Sequence, residues 1–285
     1  MTRYIGILGF PLKHSLSPIF QQAALDYYGL DMRYEVWEVD GAALAARMAR
    51  IRREGQFLGA NVTIPHKELV LPFLDGLDDT ARGIGAVNTI IKEPGRLIGY
   101  NTDAPGFLRS LTEVGFDVQG KRAVILGAGG AARAVAWALL KAGVSRLTLF
   151  NRTPMRASEL ALQLTADLAP EQQVAALPLE AVVMAPTLAQ AQLVVNATSV
   201  GLRHSPVEGQ FPLPPALIPQ DALIYDLVYN PVETPLIKLA KEKGARTMSG
   251  LSMLIHQGAL SFEKWTGRPA PVEVMFKAAR EALEH

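Results

Sequence analysis

The sequence contains no cysteine among its 285 residues. This absence excludes disulfides, thiolate catalysis and cysteine-ligated metals, and it is typical of proteins in a reducing compartment. The first residues run directly into a strand-like stretch at 4–8 instead of a long apolar signal core. We therefore expect a cytoplasmic protein.

An excess of charge of one sign is also missing, since 28 Lys and Arg stand against 27 Asp and Glu. Such a balance creates no net field that would attract nucleic acid or an anionic membrane. No apolar run is long enough to span a bilayer, and the five histidines are scattered without the spacing of metal ligands. We expect a small-molecule partner, and no nucleic acid, membrane or metal.

Short apolar runs alternate with helical patterns along the chain, which is typical of α/β folds with mainly parallel sheets. The length allows two modest domains. We predict strands at residues 4–8, 34–39, 58–63, 86–91, 97–100, 122–126, 147–150, 193–195 and 224–228. We predict helices at residues 19–28, 42–53, from 67 onward, 104–114, 134–141, 251–265 and 272–283.

A glycine-rich turn follows the predicted strand at 122–126 and matches the pattern G-x-G-x-x-A. In this pattern Gly127 makes the tight turn, Gly129 lets backbone amides approach a pyrophosphate, and Ala132 allows close helix packing. A purely structural turn is the alternative. Because the preceding strand, the following helix and the second strand all lie where the motif requires them, we interpret the turn as a nucleotide site.

The end of the second strand of this unit carries Asn151, Arg152 and Thr153 instead of the carboxylate that binds the ribose of NAD. A carboxylate would repel the 2′-phosphate of NADP, whereas the guanidinium of Arg152 can pair with it. Arg156 lies one helical turn further on, where an ordinary surface charge is the slightly better interpretation. The prediction is a preference for NADP.

Polar segments in the first half of the chain lie at predicted strand ends and loops, where α/β proteins build their sites. Ser15 and Ser17 precede a helix and suit either a carboxylate ligand or a capping turn. Thr63 ends a strand, and Lys67 begins a helix, where the helix dipole disfavours a cation and so hints at a function. The segments 85–89 and 99–103 suit either a site or hairpin turns, and segment 196–201 suits a ligand loop or a simple turn.

Taken together, these segments resemble the shikimate dehydrogenase family across nearly the whole chain. The resemblance rests on Ser15-Leu16-Ser17-Pro18, Asn61-Val62-Thr63 with Pro65 and Lys67, Gly85-Ala86-Val87-Asn88-Thr89, Asn101-Thr102-Asp103, Gly127-Ala128-Gly129-Gly130-Ala131, Asn151-Arg152-Thr153, Asn196-Ala197-Thr198-Ser199 and Gln257. One departure is Ser249, which precedes Gly250 where many relatives carry Asp. Several unrelated motifs in one fixed order rarely coincide by chance.

The resemblance implies an α/β protein with an N-terminal substrate domain, a Rossmann-type NADP-binding domain and C-terminal helices that return to the first domain. Residues 1–103 and 251–285 would form the substrate domain, and residues 104–250 the NADP domain. The implied reaction is the reversible, NADPH-dependent reduction of 3-dehydroshikimate to shikimate in aromatic amino acid (chorismate) biosynthesis. A homodimer is possible.

The resemblance also implies roles for individual residues. Substrate binding would involve Ser15, Ser17 and Thr63 at the carboxylate, Asn88, Asp103 and Gln257 at the ring hydroxyls, and Tyr229, with Lys67 and Asp103 as the catalytic pair. The cofactor side would comprise Gly127, Ala128, Gly129, Gly130, Ala131, Asn151, Arg152, Thr153, Arg156, Thr198, Ser199, Leu227 and Gly250, with Asp79 as a weaker assignment.

Hydride transfer from an alcohol requires a group that takes the hydroxyl proton. Lys67 is the candidate, but a carboxylate at Asp103 favours the charged lysine and so opposes a neutral base. We therefore assign proton transfer to the coupled pair. The alternatives are a dehydrogenase that also accepts quinate with either nicotinamide cofactor, a nonenzymatic NADP sensor, and a structural scaffold.

Overall fold

The computed structural model describes residues 2–13, 15–165 and 168–284. The chain forms two compact units, of which the first comprises Met1–Gly106 and Ile255–His285 and the second comprises Phe107–Leu254. Each unit is built around a six-stranded sheet. Within the described residues, no helix is both long and apolar enough to cross a membrane.

The elements alternate along the chain as the hydrophobic pattern predicts. The strands are β1 (Arg3–Gly9), β2 (Met32–Glu38), β3 (Phe57–Val62), β4 (Gly76–Leu77), β5 (Thr89–Glu93), β6 (Arg96–Tyr100), β7 (Arg122–Leu126), β8 (Arg146–Phe150), β9 (Gln173–Leu177), β10 (Leu193–Asn196), β11 (Leu223–Asp226) and β12 (Arg246–Ser249). The helices are α1 (Ser17–Tyr27), α2 (Leu44–Arg53), α3 (His66–Leu69), α4 (Asp79–Ile84), α5 (Asp103–Glu113), α6 (Gly130–Lys141), α7 (Pro154–Thr165), α8 (Ala181–Leu188), α9 (Pro235–Glu242), α10 (Leu251–Thr266) and α11 (Val272–Glu284).

The sheet of the first unit is mixed, with the strand order β2-β1-β3-β5-β6-β4. Strands β1, β2 and β3 run parallel, whereas β5 is antiparallel to both β3 and β6. The hairpin between β5 and β6 turns near Gly95, whose φ of 73° favours glycine. The segments 85–89 and 99–103 are therefore not hairpin turns. They lie at the opposite end of this hairpin, where Thr89 pairs with Tyr100.

The core of the first unit forms around β3, which is buried along its whole length. The amphipathic helix α2 contributes Leu44, Met48 and Ile51, which pack with Trp37 and Phe57. Burial of each such side chain stabilises the fold by about 1.5 to 3 kcal/mol. This packing fixes the strand ends from which the polar segments emerge.

The C-terminal helices belong to the first unit, as the sequence predicts. Helix α11 packs against α1, and the side-chain amide of Gln21 donates to the carbonyl of Gly258 on α10 over 2.9 Å. The indole of Trp265 donates to the carbonyl of Ile90 over 3.0 Å. Helix α10 is therefore attached to helix α1 and to strand β5 of the hairpin.

The sheet of the second unit is entirely parallel, with the order β12-β11-β10-β7-β8-β9. This is the doubly wound order of a Rossmann-type fold, in which ligands bind outside the carboxyl ends of the strands. The predicted β7, α6 and β8 form the central βαβ unit. Five elements of the second unit were not predicted from the hydrophobic pattern, namely β9, β12, α7, α8 and α9.

Candidate active site

A buried ion pair joins two loops of the first unit. Lys67 lies on α3, directly after β3, and Asp103 is the first residue of α5, after β6. The ammonium Nζ lies 2.5 Å from Asp103 Oδ2, and the two side chains are only 15% and 6% exposed. Shielding from water makes such a charge-assisted hydrogen bond stronger than a surface pair.

The helix that carries Lys67 is a single turn of four residues, His66–Leu69, and a 3-10 turn with Pro72 follows it at Leu71–Phe73. The helix that we predicted from 67 onward is present but ends after one turn, because a proline restricts the residue before it and lacks a backbone donor. One turn does not build up a full helix dipole. The dipole therefore disfavours a cation at this position less than a longer helix would.

Asn88 connects the ion pair to its surroundings and is 2% exposed. Its amide Nδ2 lies 2.9 Å from Asp103 Oδ1, 2.8 Å from Thr102 Oγ1 and 3.1 Å from Gln257 Oε1. Its Oδ1 accepts from the backbone amide of Thr102 over 2.8 Å. The amide of Asn88 thus links the carboxylate of Asp103, the hydroxyl of Thr102 and the amide of Gln257 in one hydrogen-bonded group.

A layer of buried hydroxyl and amide groups lies behind Asn88. Ser261 Oγ on α10 lies 2.7 Å from Thr89 Oγ1, 3.1 Å from Thr102 Oγ1 and 3.2 Å from Asn61 Nδ2. The phenol of Tyr34 donates to Asn61 Oδ1 over 2.7 Å. Each contact satisfies a polar group that would be costly to bury alone.

Two members of this layer, Tyr34 and Ser261, were not recognised from the sequence. Burial raises the pKa of Tyr34 well above its usual value, so the phenol remains a neutral donor. Ser261 follows Gln257 by one helical turn and donates to the carbonyl of Gln257 over 3.0 Å. The four-residue spacing on the predicted helix was the one available signal, because it places both side chains on one face.

The three residues assigned to a carboxylate ligand lie at the start of α1 and directly after β3. Thr63 follows β3, and its backbone amide donates to the carbonyl of Leu8 over 2.8 Å. Ser17 begins α1 and is 5% exposed, and Ser15 Oγ accepts from its backbone amide over 3.4 Å. Leu16 occupies the N-cap position of α1, and no side chain of the described residues caps this helix. Neither serine therefore occupies the N-cap position, although the bond to Ser15 Oγ forms a turn at the start of α1 that agrees with the capping-turn alternative.

The glycine-rich turn of the second unit has the geometry of an open phosphate loop. Gly127 has φ of 114°, and a Cβ atom at this position would lie 3.0 Å from the carbonyl oxygen of Ala197. Gly129 is the N-cap of α6, and its Cβ direction points into open space. Ala132 is fully buried under the sheet. The turn leaves the N-terminus of α6 accessible to an anion, and it includes Ala128, Gly130 and Ala131.

The loop after β8 places two guanidinium groups at the surface, since Arg152 and Arg156 are both exposed. Asn151 Nδ2 donates to the carbonyl of Thr153 over 2.9 Å and so closes the loop. Both arginines follow the strand next to the glycine-rich turn. A phosphate bound at this edge would meet a planar, always charged donor group.

The other cofactor-side residues of the second unit lie after β10, β11 and β12. Thr198 Oγ1 donates to Asn196 Oδ1 over 2.6 Å, and exposed Ser199 follows it. A Cβ atom on Gly250 would lie 2.0 Å from the carbonyl oxygen of Leu227, so only glycine fits there. Tyr229 also lies in this unit, two residues after Leu227.

Asp79 lies apart from the other residues assigned to the cofactor, because it belongs to the first unit. It begins α4, and its carboxylate forms an exposed ion pair with Arg82 over 2.9 Å. The adjacent Asp78 caps the helix by accepting from the backbone amide of Ala81 over 2.8 Å. Among the residues that the structure describes, no group of three or more potential metal ligands is present.

A doubly wound parallel sheet with a glycine-rich phosphate loop, joined in one chain to an α/β unit with a buried Lys–Asp pair, is typical of nicotinamide-dependent dehydrogenases. The shikimate dehydrogenase substrate binding domain model matches residues 7–90. The shikimate / quinate 5-dehydrogenase model matches residues 110–204, and the shikimate 5′-dehydrogenase C-terminal domain model matches residues 250–280. The chain belongs to the shikimate dehydrogenase family.

Named relatives match the chain over almost its whole length. Shikimate dehydrogenase (NADP(+)) of Moorella thermoacetica is 50% identical over 288 residues, covering 99% of this chain and 94% of the relative. The crystal structure of shikimate 5-dehydrogenase from Thermus thermophilus in complex with NADP(H) and shikimate is 42% identical, with a TM-score of 0.87 over 99% of this chain and 100% of that one. Quinate dehydrogenase from Corynebacterium glutamicum in complex with NAD is 31% identical, with a TM-score of 0.88 over 98% and 99%.

Proposed function

We propose that this chain catalyses the reversible, NADPH-dependent reduction of 3-dehydroshikimate to shikimate in chorismate biosynthesis. The observation that carries the proposal is the buried Lys67–Asp103 pair, which Asn88 links by a hydrogen bond to the layer of buried hydroxyl and amide groups. This arrangement suits a polyhydroxylated ring whose reacting alcohol must exchange a proton. The 50% identity to an NADP-dependent shikimate dehydrogenase supports the same assignment.

The first unit would bind the substrate, as the substrate domain predicted at residues 1–103 and 251–285. The direct bonds from Asn88 to Asp103 and Gln257 support a role in holding ring hydroxyls, because they bring a carboxylate and two amide groups together. Ser15, Ser17 and Thr63 would hold the substrate carboxylate with hydroxyl donors. Tyr229, a residue of the second unit, is a further predicted substrate-binding residue.

Proton transfer would take place at Lys67 Nζ. In the reduction direction its ammonium donates a proton to the carbonyl oxygen, and in the oxidation direction the pair receives the hydroxyl proton. The Asp103 carboxylate, 2.5 Å away, stabilises the ammonium and holds it in one orientation. Because the two groups are joined by a short charge-assisted hydrogen bond, we assign proton transfer to the pair and not to either residue alone.

The second unit, predicted at residues 104–250, would bind the dinucleotide. When bound, NADP(H) supplies or receives the hydride. The open backbone at Gly129 and the N-terminus of α6 would hold the pyrophosphate. Arg152, supported by Asn151, Thr153 and Arg156, would bind the 2′-phosphate, while Thr198, Ser199, Leu227 and Gly250 would line the nicotinamide side. Asp79 remains the weakest of these assignments, because it belongs to the first unit, whereas the other residues belong to the second.

The direct test follows NADPH absorbance with shikimate and NADP at alkaline pH, where release of a proton assists oxidation. We expect formation of NADPH that depends on both substrates. A nonenzymatic NADP sensor would bind the cofactor without turnover, and a scaffold would show neither binding nor turnover. Absence of NADPH formation with bound NADP would contradict the proposal.

A second candidate is a dehydrogenase that acts on quinate as well as shikimate, with either cofactor. The similarity to a quinate dehydrogenase solved with NAD favours testing it. An assay of both acids with NADP and NAD separates the two functions, and we expect shikimate with NADP to have the highest kcat/KM.

We also propose that the protein acts in the cytoplasm, because its 285 residues include no cysteine. Fractionation of the source cells with a tagged chain tests this location. A homodimer remains a prediction, which light scattering after size-exclusion chromatography would check.

A further inference from the structure

A fully buried carboxylate lies at the end of strand β11 in the second sheet. Asp226 is the last residue of β11 and is 0% exposed. Its Oδ1 accepts from Asn196 Nδ2 over 2.8 Å and from the backbone amide of Val228 over 3.1 Å, while its Oδ2 accepts from Thr234 Oγ1 over 2.6 Å. The sequence pattern assigned no role to this residue.

Each side-chain partner of Asp226 fixes a different loop. Asn196 Oδ1 accepts from the backbone amide of Thr198 over 3.1 Å and from its hydroxyl over 2.6 Å. Asn196 Nδ2 also lies 3.2 Å from the carbonyl oxygen of Val200. Thr234 Oγ1 caps α9 by accepting from the backbone amide of Ile237 over 3.2 Å. One carboxylate thus holds the turn after β10 and the start of α9.

The same group holds the loop after β11. The backbone amide of Leu227 donates to the carbonyl of Asn196 over 2.9 Å, and the backbone amide of Gly250 lies 3.3 Å from the carbonyl of Val228. The residues proposed to line the nicotinamide side, Thr198 among them, therefore lie on segments that converge on Asp226. The relative positions of these segments depend on three hydrogen bonds to Asp226, and its ionised carboxylate accepts all three at once.

Keeping this carboxylate ionised costs free energy, because it is buried and all its hydrogen-bond partners are neutral groups. Burial raises the pKa of Asp226 to about 6, against the lowering effect of the bonds from Thr234, Val228 and Asn196. From the neighbouring strands β10 and β12 its Cα partners are Asn196 and Ser249, and Thr234 faces it from α9. None of these groups titrates near neutral pH.

We propose that Asp226 is a positioning residue for the dinucleotide, whose ionised carboxylate holds the loops after β10 and β11 in the arrangement that binds the nicotinamide half. The proposal rests on the proposed function in one respect, because it requires the dinucleotide to bind at this edge of the sheet. It assigns no contact between Asp226 and the cofactor, since the side chain is fully buried.

The test is the Asp226→Asn variant, measured by direct titration with NADP at pH 8. Asparagine has nearly the same shape but replaces one acceptor oxygen by an NH2 donor, so at least one of the three donors loses its acceptor. We expect the Kd for NADP to rise about tenfold or more, the scale for losing a buried hydrogen bond to a charged group. The KM for shikimate at saturating NADP should change less than about twofold.

Asp117→Asn is the matched control, because it removes the same charge from the same unit. Asp117 is exposed, and its carboxylate accepts from the nearby backbone amide of Gln119 over 3.0 Å. We expect its Kd for NADP to equal that of the unmodified chain. A similar rise in both variants would overturn the proposal, since it would reflect net charge alone.

The pH profile separates positioning from a general loss of structure. Below a pH of about 6 the carboxyl of the unmodified chain becomes protonated, so its Kd for NADP should approach that of Asp226→Asn. Titration of the NADP 2′-phosphate affects both proteins equally and cancels in the ratio of the two Kd values. A ratio that stays constant between pH 5 and pH 8 would overturn the proposal.

Thr234→Val gives a second route if Asp226→Asn does not fold, because it removes the donor to Oδ2 and the side-chain cap of α9 while it leaves the carboxylate in place. We expect a rise of several fold in the Kd for NADP, and an unchanged Kd would overturn the proposal. Direct binding does not depend on turnover. A protein that binds NADP with these shifts but does not oxidise shikimate would contradict the proposed function and leave the role of Asp226 standing.

Discussion

At the residue scale, the strongest expectation concerns Lys67. Replacing it with alanine removes the ammonium that lies 2.5 Å from Asp103 Oδ2, and with it the proposed proton donor. We expect Lys67→Ala to lower kcat by roughly two or more orders of magnitude, the usual scale for losing a general acid or base. The KM for shikimate should change little, because the binding groups proposed for the ring are other side chains.

Lys277→Ala is the control for this variant, since Lys277 lies in the same unit with a side chain that is 77% exposed. Steady-state kinetics of the two variants at saturating NADP give the comparison. An unchanged kcat in Lys67→Ala would remove Lys67 from the mechanism, whereas equal losses in both variants would indicate a general effect of charge.

A second residue, Arg152, should determine the choice of cofactor. Its exposed guanidinium follows β8, and a bond from this group to a phosphate is a strong, charge-assisted one. We expect Arg152→Ala to raise the KM for NADP by about tenfold to a hundredfold, as for losing a hydrogen bond to a charged group. The KM for NAD, which lacks the 2′-phosphate, should hardly change.

Arg146→Ala supplies the control, because Arg146 begins the same strand and donates to Gln173 over 2.7 Å. It should alter neither KM value. The charge argument for the loop would fail if Arg152→Ala raised the KM values for NADP and NAD equally. It would also fail if the unmodified chain used NAD at least as well as NADP.

Residue-level prediction succeeded where chemistry and spacing coincide. The motifs of Lys67 and Asp103 follow two separate strands, β3 and β6, and the structure brings both groups within hydrogen-bond distance. Tyr34, Ser261 and Asp226 escaped notice because each is a single polar residue within a strand or helix. Their roles arise from partners far apart in the chain, such as the 200 positions between Asn61 and Ser261.

At the element scale, the register of β3 against β5 depends on Gly59. Its φ is 154°, and a Cβ atom would lie 2.0 Å from the carbonyl oxygen of Ile90 and 2.8 Å from the indole nitrogen of Trp265. We expect Gly59→Ala to lower the free energy of unfolding by about 3 kcal/mol or more, because a backbone clash adds to a strained φ.

Gly55→Ala gives the matched comparison, since a Cβ atom there would meet nothing within 4 Å. We expect it to change stability by less than about 0.5 kcal/mol, as for most surface substitutions. Urea unfolding followed by tryptophan fluorescence measures both variants. Equal stability of the two would show that β3 can shift to accept a side chain.

The same scale shows which elements the hydrophobic pattern could predict. Long periodic segments such as α10 were found within one or two residues of their ends. Strand β12 has only four residues, and α8 contains Pro186, which normally argues against a helix interior. Such short or interrupted elements form because neighbouring strands and helices cover them, which is tertiary information that a local pattern does not contain.

At the scale of the whole molecule, the chain begins and ends in the same unit, while the dinucleotide unit is an uninterrupted segment, Phe107–Leu254. The final residues contribute large buried side chains to the first unit, among them Ile255, Phe262 and Met275. Each stabilises it by about 1.5 to 3 kcal/mol, so their combined loss approaches the roughly 5 to 15 kcal/mol that stabilises a typical domain. Removal of this segment should therefore unfold the first unit selectively.

A chain that ends at Leu254 tests this separation. It keeps every residue of the second unit and loses Gln257 and Ser261 from the proposed site. We expect NADP binding within about threefold of the full-length chain, because the phosphate loop and the buried contacts of Asp226 remain. Oxidation of shikimate should fall below detection, and far-UV circular dichroism should lose more signal than the deleted helices account for. Measurable turnover by the shortened chain would mean that the first unit folds and binds substrate without its C-terminal helices, which would contradict the assignment of α10 to the substrate site.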